Sequence, residues 1–96
     1  MKIRNVKILR WWGIEGMVLY PFIIYASKFP APDLENHERI HWDQIKRDGV
    51  SKFYYRYLKE YFLGRMKGLS HDEAYRKISY EVEAYTHQRN HHYAVN

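Results

Sequence analysis

The chain has 96 residues, no cysteine and a formal net charge of +5. That length allows one domain with a small core, and the lack of cysteine excludes disulfide staples and thiolate ligands. Hydrophobic residues at 46% beside charged residues at 28% exclude a disordered chain, and without cysteine any metal site must be built from histidine and carboxylate.

Residues 2–9 set Ile3, Val6 and Ile8 among charged neighbours and predict a strand. Residues 10–16 hold Gly13 and Gly16 and predict a turn. Residues 17–26 are β-branched and aromatic and predict a second strand, with Pro21 marking a bulge or an edge. Together they suggest a hairpin region over 1–27. The apolar stretch 11–27, with basic residues before it, superficially resembles a signal peptide. Glu15, Gly13, Gly16 and Pro21 interrupt it, and the uncharged remainder falls short of the ~20 residues of a membrane span. We therefore expect no membrane span and a cytoplasmic protein, with secretion the lesser alternative. Lys2, Arg4, Lys7 and Arg10 crowd basic charge into this region. Such charge can serve nucleic acid or a membrane surface. No nucleic-acid motif accompanies it, so a solvated surface is expected.

The proline-broken loop 28–33 leads into helices. Asp33 or Asn36 can cap a helix over 34–47, ended by Gly49. Ser51 can cap a second helix over 52–67, with an apolar stripe of Tyr54, Leu58, Tyr61, Phe62 and Met66, stopped by Gly68. Ser70 and Glu73 have the spacing of a capping box for a short helix to about Lys77. Ser79 can cap a last helix over 80–90, or 71–90 can run as one element. The tail from His91 is expected to fray. The predicted fold is α+β, a single domain with a small N-terminal hairpin or sheet packed on three or four helices. The many tyrosines suggest a thin core with polar rims.

Within the first long helix, His37-Glu38-Arg39-Ile40-His41 fits the pattern H-E-x-x-H. Positions i and i+4 share a helix face, so both imidazoles can address one point. Zinc accepts two such nitrogens and needs a further protein ligand. In this pattern the glutamate, here Glu38, acts as general base on an activated water. The pattern also arises by chance, and the sober alternative is two helix-face histidines bonded to their neighbours. The last helix offers the missing ligand. Glu81, Ala84 and Tyr85 share a face by spacing, so Glu81 is the better third ligand and Glu83 the alternative. Tyr85, one turn on, can hydrogen-bond a ligand histidine from behind, and Glu83, where it is not itself the ligand, is expected behind the ligands with it. The remaining tyrosines are expected to pack, though one could stabilise an oxyanion. His71 is read as structural, His87, His91 and His92 as lacking a scaffold, and Asp43 and Asp48 as solvated surface.

Taken together, "NHERIH" and the later "AYRKISYEVEAY" resemble the small H-E-x-x-H proteins of bacteria and phages and, more broadly, gluzincin metallopeptidases in minimal form. The resemblance covers most of the chain. It implies zinc held by His37, His41 and Glu81, Glu38 as base, and a peptide or protein substrate. It also implies that residues 17–26 form a strand beside the cleft, where an extended peptide could add. Larger gluzincins carry Asp where this chain has Tyr85. Two other readings stand beside it: a zinc-stabilised interaction module without turnover, and a basic helical nucleic-acid binder.

Overall fold

A computed structural model of the chain describes residues 2–11 and 13–95. Met1, Trp12 of the expected turn and apolar stretch, and Asn96 of the expected tail lie outside the described residues. The elements run β1 (Lys2–Ile3), α1 (Ile8–Trp11), β2 (Gly16–Leu19), β3 (Phe22–Tyr25), α2 (Pro32–Asp48), α3 (Val50–Met66), α4 (His71–Arg76) and α5 (Ser79–His87). The class is α+β, as the sequence predicts, with one short helix more than expected.

The N-terminal region departs from expectation in its topology. Residues 2–9 do not form one strand. Asn5 turns the chain at φ 63, a conformation its short polar side chain tolerates, and Ile8 opens α1, exposed. The hairpin lies inside the second predicted strand: β2 and β3 pair antiparallel, Met17 opposite Ile24, across a turn at Tyr20–Pro21. Pro21 thus sits in the turn itself, where no ladder donor is needed. β1 joins β3 in parallel, giving the order β1-β3-β2 and leaving β2 at an edge. The hydrogen bond from Ala26 N–H to the Glu15 carbonyl (2.9 Å) sets which pairs exchange bonds. By alternation, the backbone groups of Gly16 and Val18 face outward.

The helix α2 starts earlier than predicted, with Ala31 at its cap position and Pro32 in the first turn, and no side chain caps it. The fixed φ of proline suits that place better than Asp33 or Asn36 suits a cap. Gly49 ends it at φ 92, ψ 152 and immediately becomes the cap of α3, so Ser51 lies inside that helix. This conformation belongs essentially to glycine. A Cβ there would meet nothing within 4 Å, so Gly49→Ala should act through backbone strain alone. We expect a loss of about 1–3 kcal/mol in urea unfolding, with unchanged secondary structure by circular dichroism.

The stripe predicted for α3 is displaced. Phe53 is buried and Tyr57 half-buried, while Leu58, Phe62 and Met66 are exposed, the last at 82%. This helix is apolar on several faces, so periodicity alone does not choose among them. Phe53 joins Ile45, Ile78 and Tyr80 in the core, rimmed by Tyr54, Tyr57, Tyr61 and Tyr75.

Ser70 and Glu73 complete the predicted capping box of α4. Buried Ile78 then separates α4 from α5, so the two are not continuous. Ser79 is the first residue of α5, and Glu60 of α3 caps it, accepting from both Ser79 N–H (2.7 Å) and its hydroxyl (3.0 Å). Asp48 is not mere surface. It accepts from the Arg47 guanidinium (2.9 Å) and from the Tyr80 hydroxyl (2.7 Å). Chiefly through the Arg47 bond, against the opposing pull of burial, its carboxyl is lowered to about 2. A depressed carboxyl stabilises the fold above its unfolded value, near 3.8, and loses that contribution as pH falls towards 2. The stability gap between the parent and Asp48→Asn should therefore close over that window in urea titrations at stepped pH. Among the described residues no helix is long and apolar enough to cross a membrane.

Candidate metal centre

The inward face of α2 is polar where a core would want hydrocarbon. Asn36, His37, Glu38, His41 and Gln44 are all buried, with Ile40 and Ile45 among them. Burying such groups costs about 1–3 kcal/mol each unless they are bonded, so the stripe needs an account of its partners. Helix α5 supplies the first. Ala84 is fully buried and its small side chain permits close approach to α2, while Glu81 is 2% exposed.

Glu81 Oε1 lies 3.0 Å from His37 Nε2 and 3.1 Å from His41 Nε2. The Tyr57 hydroxyl donates to the other oxygen, Oε2, at 2.5 Å. His37, Glu38 and His41 also place their ligand atoms within 4.8 Å of one another. The structure thus brings together His37, His41 and Glu81, the ligand candidates named from the sequence, and Glu38, the candidate base.

The far sides of both rings are held by carboxamides. His37 Nδ1 meets Gln88 Oε1 at 2.9 Å, and His41 Nδ1 meets Gln44 Oε1 at 2.8 Å. The orientation of Gln44 is not arbitrary, because its Nε2 donates to the Tyr80 carbonyl (3.0 Å) and to Glu83 Oε1 (2.7 Å), both acceptors. Its oxygen must therefore face His41, whose Nδ1 carries the hydrogen. In the neutral ring, Nε2 then presents a lone pair toward Glu81. His41 Nε2 is buried and has no hydrogen-bond partner, since Glu81 Oε1 sits near it but off the line a bond requires. A lone pair facing a carboxylate oxygen calls for a cation between them or a proton on the ring. That donor set, two imidazole nitrogens and a carboxylate, fits a metal ion.

The charges follow the same geometry. Burial raises the Glu81 carboxyl, but the His37 bond and the His41 imidazole beside it outweigh that and hold it well below the usual range. Burial lowers His41, and the Glu81 and Glu38 carboxylates more than reverse that. Glu38 is raised, chiefly by burial. It is 5% exposed, and among the described residues no hydrogen bond reaches its carboxyl.

Two cavities open beside Glu38. One, of about 420 Å³, is lined by Glu15, Leu34, His37, Tyr85 and Gln88. The other, of about 310 Å³, is more apolar and runs between β2 and α3, past Met17, Leu19, Phe53, Tyr57 and Leu58 to His41 and Glu81. Gly16 and Tyr75 line both. A Cβ on Gly16 would come within 3.5 Å of the Glu38 side chain, so the edge strand runs against that carboxyl. A further cavity of about 430 Å³ around Arg39, Trp42 and His91 touches none of His37, Glu38, His41 and Glu81.

Two expectations need correction. Tyr85 does not bond a histidine: its ring packs edge-on against His37 at 4.5 Å between centroids, and His37 spends its nitrogens on Gln88 and Glu81. Glu83 is not the third ligand, because Gln44 and the Tyr93 hydroxyl occupy its two oxygens. Gln44, Gln88 and Tyr57 were not singled out from the sequence for these roles. Only Gln44 carried a signal, standing three residues after His41 on the same face. His71 pairs with Tyr61 (2.8 Å), and His91 with Asp33 (2.8 Å), both exposed. No family model matches the chain, and no curated protein or solved structure matches it either.

Proposed function

We propose that this chain is a zinc-dependent metallopeptidase of the gluzincin type. The observation that carries the reading is the buried convergence of His37, His41 and Glu81 on one point, with Glu38 unbonded beside it at the cavities. Bound zinc would supply Lewis-acid polarisation of a peptide carbonyl and acidify the attacking water. The chain's own residues supply the rest. Glu38 would accept a proton from the attacking water and pass it to the leaving amine. Its raised carboxyl suits the task, since a base works best near the working pH. Tyr57 holds Glu81 in place, and the carboxamides of Gln44 and Gln88 turn both imidazoles. The outward groups of Gly16 and Val18 can pair with an extended peptide. The Tyr54 hydroxyl already donates to the Val18 carbonyl, at 2.8 Å, leaving the Gly16 end of that edge for a ligand.

The burial of the three ligands favours a second reading. A metal tying α2 to α5 would stabilise a small domain with or without turnover. Elemental analysis and a peptide library read by mass spectrometry separate the two. One zinc per chain with cleavage supports the peptidase. Zinc without cleavage leaves the structural reading, and a chain that takes up no zinc sinks both.

A further inference from the structure

The residues after α5 reach the histidine pair by two routes. Residues 87–93 cross α2, where Asn36 Nδ2 donates to the carbonyls of His87 (3.3 Å), Gln88 (2.8 Å) and Asn90 (3.0 Å). Arg39 donates to the Tyr93 carbonyl at 2.8 Å. Residues 88–90, expected as the last turn of a helix, lie beyond α5, and the tail from His91, expected to fray, docks through Tyr93. From it, Gln88 reaches His37 Nδ1 directly. The second route is a relay: the Tyr93 hydroxyl donates to Glu83, Gln44 Nε2 donates to the other oxygen of Glu83, and His41 Nδ1 donates to Gln44 Oε1.

The relay decides which His41 nitrogen is free. Were Gln44 to flip, its amide would donate to His41 Nδ1, and the ring hydrogen would move to Nε2, removing the lone pair from the junction. Facing Glu83 with its oxygen would also set acceptor against acceptor. Glu83 thus locks Gln44 together with the Tyr80 carbonyl, and Tyr93 holds Glu83.

We infer that Gln88 and Tyr93 are positioning residues for the metal centre, the first fixing the ring of His37 and the second, through Glu83 and Gln44, the ring and tautomer of His41. The inference rests on the zinc reading above. Partners of this kind are worth ~10–100-fold in metal affinity.

The test uses the full chain with zinc and with cobalt(II) as a spectroscopic probe. Tyr93→Phe keeps the ring that stacks on His87 (centroids 3.8 Å apart) and removes only the hydroxyl. It should weaken zinc binding ~10-fold against a chelator of known affinity and alter the cobalt visible bands. Gln88→Ala should do the same through His37. His91→Ala loosens the same segment from Asp33 without touching either route, and should keep parental affinity and spectrum. If Tyr93→Phe proves too unstable to measure, Glu83→Gln tests the relay by replacing the charged acceptor of Gln44 and leaving the Tyr80 carbonyl as the remaining one. Parental zinc affinity and cobalt spectrum in the Gln88 variant and in whichever relay variant is measured would overturn the inference alone. So would an equal loss in His91→Ala, which would mark the segment as general packing. A parent chain that binds neither metal would overturn the zinc reading, and this inference with it.

Discussion

On the proposed peptidase reading, Glu38→Gln should bind zinc as the parent does and lose at least about two orders of magnitude in peptide hydrolysis, within the ~10²–10⁴-fold range for a positioned general base. The carboxamide has nearly the same shape, so both cavities and the packing against Gly16 are preserved. What disappears is the ability to accept a proton. No protein hydrogen bond is broken by the change, and a carboxyl buried near Glu81 is replaced by a neutral group. Stability of the metal-free chain should therefore hold or rise in urea. The two readouts diagnose different errors. Hydrolysis at the parental rate would remove Glu38 from the chemistry. Loss of zinc would instead make it a ligand, an arrangement its nearness to both histidines permits.

His41→Ala should abolish stoichiometric zinc binding and also weaken the metal-free chain, by about 3–5 kcal/mol. The ring is buried between Gln44 and Glu81, and its removal leaves the Gln44 oxygen without its donor and Glu81 with one imidazole fewer. It also leaves a hole beside Phe53, whose ring centroid is 6.1 Å away. Thermal melts with and without chelator separate the two effects. A chelator should lower the parental melting temperature, since ligand at about 100 times its Kd adds about 2.7 kcal/mol. It should leave the variant unmoved. A variant that still responds to zinc would show that the metal sits elsewhere.

The parts of this molecule legible in the sequence are those governed by local chemistry. Gly49 announced the end of α2 because its backbone conformation excludes other residues. Ser70 and Glu73 announced α4 because their two hydrogen bonds close within one turn. The His37–His41 face and the opposed Glu81 followed from helical spacing. The parallel pairing of β1 with β3 was not legible, because it depends on contacts about twenty residues apart that no local pattern encodes. The inward face of α3 was hidden by a surplus of apolar residues. Gln88 and Tyr93 were hidden for a different reason. They act at the ends of hydrogen-bond routes that join α2 to residues about fifty positions away, Gln88 read as the end of a helix and Tyr93 as part of an exposed tail.

The single-residue join at Gly49 sets where this chain can change length. An extra residue inserted between Gly49 and Phe53 would turn the rest of α3 by about 100°. That rotation would swing Tyr57 away from Glu81 and carry a different side chain to the core. The mostly exposed stretch between β3 and α2, residues 28–31, carries no such constraint on helix phase. A tag, spacer or grafted peptide should therefore be accommodated there and rejected at the elbow, although both sites lie in short surface connections.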